Sequence, residues 1–314
     1  MKAVGLLSGG LDSTLAAKLM LEQQVEVHAI NFTSPFCNCT AKGASCAAVV
    51  KAVEQLGNIP LKRVALGDEY LQMVRAPKHG YGRGMNPCID CRILKIKSAV
   101  LYMREIGAEF LFTGEVLGQR PMSQHRRAIN IIDEDAGVRG IILRPLSAAH
   151  FEPTLVEQSG RIDRSRLLNL SGRNRKPQIA MAKDFGINDY PCPAGGCRLT
   201  DEHFAQRLQD YFDHTGESKL ADMARLKIGR HFRLENNDKI IVARDEHEGE
   251  ILFDLKRPAD YVLVPNFSGP VVLLEGTAIE QALEYLLRYG KPERAENPLV
   301  TEYHDNLQKP LPIK

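Results

Sequence analysis

Ser8-Gly9-Gly10-Leu11-Asp12-Ser13 gathers two hydroxyls, two adjacent glycines and a carboxylate within six residues. The apolar run Ala3-Val4-Gly5-Leu6-Leu7 precedes it, and a helical pattern over 14–21 follows. A strand, a tight turn and a helix start in that order aim several backbone N–H groups at one point, where an anion is stabilised. The glycines let the backbone approach a ligand without Cβ atoms, and the Ser8 and Ser13 hydroxyls add donors. Asp12 is out of place in a pure anion cradle, so the pattern implies Mg2+ or a magnesium–phosphate complex. The G-x-x-x-x-G-K-[ST] pattern is absent, which argues against a kinase-like γ-phosphate site. A Gly-rich turn with no ligand is the bland alternative.

The seven cysteines form three groups: Cys37, Cys39 and Cys46; Cys88 and Cys91; Cys192 and Cys197. An odd count in a chain of cytosolic character speaks against a disulfide framework. In Asn86-Pro87-Cys88-Ile89-Asp90-Cys91-Arg92, the thiols sit at i and i+3 on one face of a helix that Pro87 starts. A helix start lowers a thiol pKa. The pair therefore reads as two ligands of a metal centre, a redox dithiol or a packed structural pair. Cys37, Cys39 and Cys46 follow the second strand and read as a second metal site, a persulfide relay or a variable loop.

The elements that must position these groups alternate through the first half. Strands are expected at 2–7, 25–32, 61–66, 109–113 and 141–145, and helices at 13–22, 47–56, 91–106, 154–158 and 178–185. Such alternation predicts an α/β parallel sheet with ligands at the carboxyl ends of its strands. Gly114 and Glu115 then share a rim with the 8–13 loop. After the Pro- and Gly-rich connector 190–197, the pattern changes to a helix at 201–212, short strands near 232–234, 239–243, 261–264 and 271–274, and a helix at 278–289. The tail from Pro292 onward reads as irregular. Domains are expected at 1–198 and 199–314, the second a smaller α+β unit.

Bulk composition fits a soluble globular protein, with 25% charged and 44% hydrophobic residues. No apolar run reaches the ~18–20 residues of a membrane span, and no signal-peptide pattern is evident, so a cytoplasmic location without membrane contact is expected. The net charge of +2 does not announce nucleic-acid binding. Locally, however, Arg161, Arg164, Arg166, Arg173, Arg175 and Lys176 are opposed only by Asp163, a pattern that suits phosphate-backbone contact or a solvated basic surface.

The S-G-G-x-D-S loop resembles the pyrophosphate loop of the ATP pyrophosphatases, which cleave ATP between its α and β phosphates. The segment from Thr113 to Gln124 (T-G-E-V-L-G-Q-R-P-M-S-Q) is similar to a signature of the tRNA 4-thiouridine synthase (ThiI) family, and Ile142-Leu143-Arg144-Pro145-Leu146 to that family's later strand. The resemblance covers about residues 1–190. It implies a PP-loop, adenine-nucleotide-hydrolase-like fold and ATP-dependent thiolation of a tRNA uridine, with position 8 and C4 as the family's target and position 34 and C2 as the other option. Ser8, Gly9, Gly10, Asp12, Ser13, Gly114 and Gln119 would bind ATP and Mg2+. Glu115, Gln119 and Ser123 would face the nucleotide and base, and Arg144 would steady a phosphate or carboxylate or form a structural salt bridge.

Neither the N-terminal RNA-binding module of ThiI nor a rhodanese-like domain is evident, so the chain resembles the short iron–sulfur-type thiolation enzymes. That resemblance implies a 4Fe–4S cluster on Cys88, Cys91 and Cys197, with Cys192 in reserve and zinc as the alternative metal. Sulfide or a persulfide donor would supply sulfur. Residues 227–273 are similar to the NFACT RNA-binding (NFACT-R) domain, with Arg230, His231 and Arg244 as candidate phosphate contacts; a domain serving folding or homodimerisation is the other reading. The rival functions are a PP-loop sulfurtransferase or amidating enzyme acting on a small molecule, and an RNA-binding protein with a degenerate site.

Overall fold

The computed structural model describes residues 1–37, 44–191, 197–305, 307–311 and 313. Cys39 and Cys192 lie outside the described residues, as does the side chain of Cys46. The chain divides into two units, Met1–Ala205 and Gln206–Lys314.

In the first unit, β1 (Lys2–Leu6), β2 (Glu26–Thr33), β3 (Leu61–Ala65), β4 (Phe110–Thr113) and β5 (Ile142–Leu143) form a parallel sheet in the order β3-β2-β1-β4-β5. The helices are α1 (Leu11–Glu22), α2 (Ala44–Gln55), α3 (Asp68–Arg75), α4 (Cys88–Glu105), α5 (Arg126–Asp135), α6 (Leu155–Gln158) and α7 (Lys176–Asp184). Strand residues alternate between two cores. Ala3, Phe110 and Phe112 pack with α1, whereas Val4, Leu6 and Leu111 pack with α4. Helices therefore cover both faces, as a buried parallel sheet requires.

The strand order reverses between β1 and β4, where Leu6 lies beside Thr113. A crevice at such a switch point, beyond the carboxyl ends of the strands, is where open α/β sheets take ligands. The 8–13 loop leaves β1 there and Gly114 leaves β4. Two glycines make the approach feasible. Gly9 has φ +75° and lies so close to α2 that a Cβ would fall 2.6 Å from the Ala48 carbonyl carbon. A Cβ on Gly114 would fall 2.5 Å from the backbone of Asp12.

The second unit carries a six-stranded antiparallel sheet in the order β11-β10-β8-β9-β7-β6. Its strands are β6 (Arg230–Arg233), β7 (Lys239–Val242), β8 (Asp260–Pro265), β9 (Val272–Glu275), β10 (Val300–His304) and β11 (Leu307–Leu311). The helix α8 (Glu202–His214) runs across the boundary, and α9 (Glu246–Asp254) and α10 (Ile279–Tyr289) follow. Ile240, Val242 and Leu274 pack with Leu286 of α10, and Ile241, Val262 and Leu273 with Leu252 of α9.

The tail corrects one expectation. Residues beyond Pro292 were expected to be irregular, yet β10 and β11 form a hairpin that extends the sheet. Val300 and Glu302 alternate onto a buried face, with Lys309 paired to Glu302, and Pro310 is tolerated because β11 is an edge strand.

Candidate functional site

At the start of α1, the loop is held by its own hydroxyls. Ser13 Oγ donates to the Gly10 carbonyl at 2.9 Å and accepts from the Ser8 N–H at 3.2 Å. Ser8 Oγ, 3.1 Å from Ser13 Oγ, also accepts from the Gly10 N–H. Ser8 itself is exposed, so its hydroxyl remains at the crevice.

Asp12 is the centre of a polar relay. Its Oδ2 accepts from Gln119 Nε2 at 2.6 Å and from Arg175 at 3.3 Å. Gln119 Oε1 in turn accepts from Gln178 Nε2 at 3.0 Å. Gln178 is fully buried, and its Oε1, Asp12 Oδ1 and Arg175 Nε have no hydrogen-bond partner among the described residues. Buried polar atoms are ordinarily paired, so unpaired oxygens and a donor around one carboxylate mark a place prepared for a ligand. An oxygen on Asp12 with its twin anchored is a suitable Mg2+ ligand. Gln178 escaped the sequence reading, since nothing local distinguishes a glutamine facing inward on α7.

Glu115 lies deeper and does something else. It is 1% exposed and is gripped by Arg92 Nε at 2.8 Å and Arg144 Nε at 3.0 Å, with Thr113 Oγ1 donating at 3.2 Å. Burial pushes its carboxyl up, but the guanidiniums of Arg92 and Arg144 outweigh burial and hold it below its ordinary value. The remaining nitrogens of Arg144 donate to Asp133 at 2.9 and 2.6 Å. Arg144 thus forms the structural salt bridge that was one of its two readings, and Glu115 is engaged by Arg92 and Arg144. Ser123, also carried in the signature, is buried. Gly114 is explained by its contact with the Asp12 backbone.

The thiols form a second centre. Cys88 opens α4 and Cys91 follows one turn later, its sulfur accepting from the Tyr70 hydroxyl at 3.6 Å. Cys197 lies opposite Cys37 in an isolated antiparallel bridge, closed by the Arg198 N–H donating to the Phe36 carbonyl at 3.0 Å. Burial drives the Cys197 thiol up to about 12, with the charges of Cys91 and Cys37 adding to it. Cys91 is thus felt by Cys197 as well as by Cys88.

A lowered thiol pKa at the helix start was expected for Cys88. The opposite holds: burial, then the neighbouring Cys91, raise it. Gathered thiols that resist ionisation are stabilised as thiolates by a soft cation, so the donor chemistry fits an iron–sulfur cluster or zinc. Among the described residues, no three His, Cys, Asp or Glu side chains are arranged to hold a single metal ion.

The basic stretch is dispersed by its turns. Arg161 pairs with Glu109; Arg164 pairs with Glu157 and donates to the Ala148 and Phe151 carbonyls; Arg166 donates to the Glu22 carbonyl; Arg175 faces Asp12. Arg166, Arg173 and Lys176 are exposed and form no ion pair among the described residues. Arg161, Arg164 and Arg175 thus turn toward acids on different elements. In the second unit, Arg244 is paired with Glu248. His231 is half-buried, and desolvation, then the charge of Lys239, lowers its pKa to about 3.

A family model described as thiamine biosynthesis protein (ThiI) matches residues 1–162. The chain belongs to the ThiI family. Beyond that ThiI segment, a model described as the NFACT protein RNA binding domain matches residues 229–312. The chain is 27% identical over 219 residues to a tRNA-specific 2-thiouridylase MnmA of Dichelobacter nodosus, covering 67% of this chain and 54% of that one. It is 25% identical over 242 residues to its counterpart in Paracidovorax citrulli, covering 73% and 60%. It thus spans little more than half the length of these curated relatives.

Among solved structures, this ThiI-family chain is similar to a 4-thiouridine synthetase in complex with RNA and bound ATP, at 20% identity and TM-score 0.39, covering 72% of this chain and 52% of that one. It is also similar to the U34-tRNA thiolase NcsA of Methanococcus maripaludis with its [4Fe–4S] cluster, at 20% identity and TM-score 0.35, covering 75% and 74%. No helix among the described residues is long and apolar enough to cross a membrane.

Proposed function

We propose that this chain uses ATP to replace an oxygen of a tRNA uridine with sulfur. The observation that carries the reading is Asp12, with one oxygen anchored by Gln119 and Arg175 and the other buried without a partner among the described residues, beside the Ser8–Ser13 hydroxyls at a helix start. Membership of the ThiI family and relatives named as tRNA-specific 2-thiouridylases support it.

Backbone N–H groups of the 8–13 loop and the Ser8 and Ser13 hydroxyls would hold the β,γ-phosphates of ATP at the positive end of α1. Mg2+, when bound at Asp12, neutralises the departing pyrophosphate. The uridine oxygen attacks the α-phosphorus; the bond to the β-phosphate oxygen breaks, and an adenylated base and pyrophosphate result. Sulfide then attacks the activated ring carbon and AMP leaves with the original oxygen. If the terminal sulfur of a persulfide donor attacks instead, a second thiol must cleave the resulting disulfide, freeing the thiouridine and leaving that thiol in a disulfide with the donor. The target base must be unpaired or flipped out, since its oxygen is shielded in a duplex.

Cys88, Cys91 and Cys197 would hold a 4Fe–4S cluster, which supplies an iron with an open position for exogenous sulfide. Cys37 stands next to Cys197 as a further thiol on the same rim. The sequence resemblance implies C4 as the thiolated carbon, and the names of the curated relatives imply C2. Mass spectrometry of tRNA nucleosides from cells lacking the gene tests the proposal. One thiouridine should vanish and return with the wild-type gene but not with Asp12→Asn; an unchanged set of thionucleosides contradicts it.

A further inference from the structure

We infer that the face built by β6 and α10 is a stacking platform for unpaired bases of RNA. Arg230 and Phe232 lie two residues apart on β6 and so share a face. Tyr285, Arg288 and Tyr289 lie at i, i+3 and i+4 on α10, also on one face. The two sets interleave. The Phe232 ring is 4.4 Å from that of Tyr285 and 6.5 Å from that of Tyr289. The Arg230 guanidinium sits 5.1 Å over Tyr289, and that of Arg288 5.2 Å from the Tyr285 ring.

This surface is open. Tyr289 is 39% exposed, both arginines are exposed, and β6 is the edge strand of its sheet. Its charge is also uncompensated. Arg225, Arg233, Arg244 and Arg257 are tied to acids, whereas Arg230 and Arg288 form no ion pair among the described residues. Glu280 and Glu284 of α10 pair with neither.

Aromatic rings accept any base face, and guanidinium planes held over them extend the stack while neutralising the phosphates. A duplex hides its base faces, so single-stranded RNA is the ligand that fits. The inference rests on the reading that RNA is this chain's substrate, and it adds where and in what form RNA is held.

The test is binding of the full-length protein to a labelled single-stranded oligouridylate and to the corresponding duplex. Tyr289→Ala and Arg230→Ala should each weaken single-strand binding by about 5-fold to 100-fold. Tyr289→Phe and Lys219→Ala should bind as wild type. The chain has no tryptophan, so its intrinsic emission is tyrosine emission and should be quenched as bases stack. A folded Tyr289→Ala protein that binds as wild type overturns the inference, as does preference for the duplex or binding without quenching. Thiolation by wild type with unchanged oligonucleotide binding in the variants sinks the platform alone. Loss of oligonucleotide binding in the variants, with wild type inactive on tRNA, sinks the proposed reaction alone.

Discussion

Gln119 donates its side-chain amide to Asp12 at 2.6 Å, tying the loop after β4 to the first turn of α1 across 107 residues of sequence. The contact spans the point where the strand order reverses, so it sets the carboxylate relative to the crevice. One Asp12 oxygen is spent on this anchorage and the other is buried without a partner among the described residues.

Removing the ligand oxygen should therefore hurt more than loosening the anchor. Asp12→Asn is expected to lower pyrophosphate release by about 100-fold or more, the scale of losing one preorganised electrostatic group. Gln119→Ala should reduce it less and raise the Mg2+ concentration needed for half-maximal rate. Gln178→Leu should show the same magnesium dependence in milder form, since Gln178 reaches Asp12 through Gln119. Initial rates across a magnesium titration check all three.

Gly114→Ala tests the close approach of β4 to α1. The added Cβ would meet the Asp12 backbone at 2.5 Å, and backbone cannot swing aside as a side chain can. A loss of about 1–3 kcal/mol is expected by denaturant unfolding, together with weaker ATP binding.

Glu115 is a stability element with a pH signature. Glu115→Gln leaves the buried Arg144 short of an anion and should cost about 3–5 kcal/mol. The folded-state pKa of Glu115 is depressed by Arg92 and Arg144, so its contribution is fully present above the ordinary carboxylate value. It is lost as pH falls through the depressed folded value. The stability gap between wild type and variant should thus narrow on acidification, which unfolding curves at descending pH would measure.

The chain's own local order made the 8–13 loop and the Cys88–Cys91 pair legible, because each is a contiguous pattern whose chemistry does not depend on distant residues. The alternating strands and helices of the first unit were legible for the same reason. Gln178 was not, since its value arises only where α7 meets the loop after β4. The ion pairs of the basic stretch were not legible because charge is visible in sequence while direction is not: Arg161 and Arg164 turn back onto Glu109 and Glu157. The rise of the Cys88 thiol was hidden because burial, which outweighs the helix start, is a tertiary property. The β10–β11 hairpin was missed because its alternation is interrupted by the charged turn at Asp305 and by Pro310.

The thiol centre makes a compositional prediction. Anaerobically purified protein should be brown and carry ~4 irons per chain. Cys88→Ser, Cys91→Ser and Cys197→Ser should each lose colour and iron, and Cys192→Ser should keep both. Colourless, zinc-loaded wild type would replace the cluster by zinc, and iron loss in Cys192→Ser alone would move the third ligand.

The central claim is tested most directly by reconstitution. Unmodified tRNA, ATP, Mg2+ and sulfide are incubated anaerobically with the protein, and digested nucleosides are resolved by mass spectrometry beside the nucleotide products. The account predicts one thiouridine per tRNA, with AMP and pyrophosphate released in matching amounts. ATP cleaved to ADP and phosphate, or AMP and pyrophosphate formed while every uridine keeps its oxygens, would contradict it.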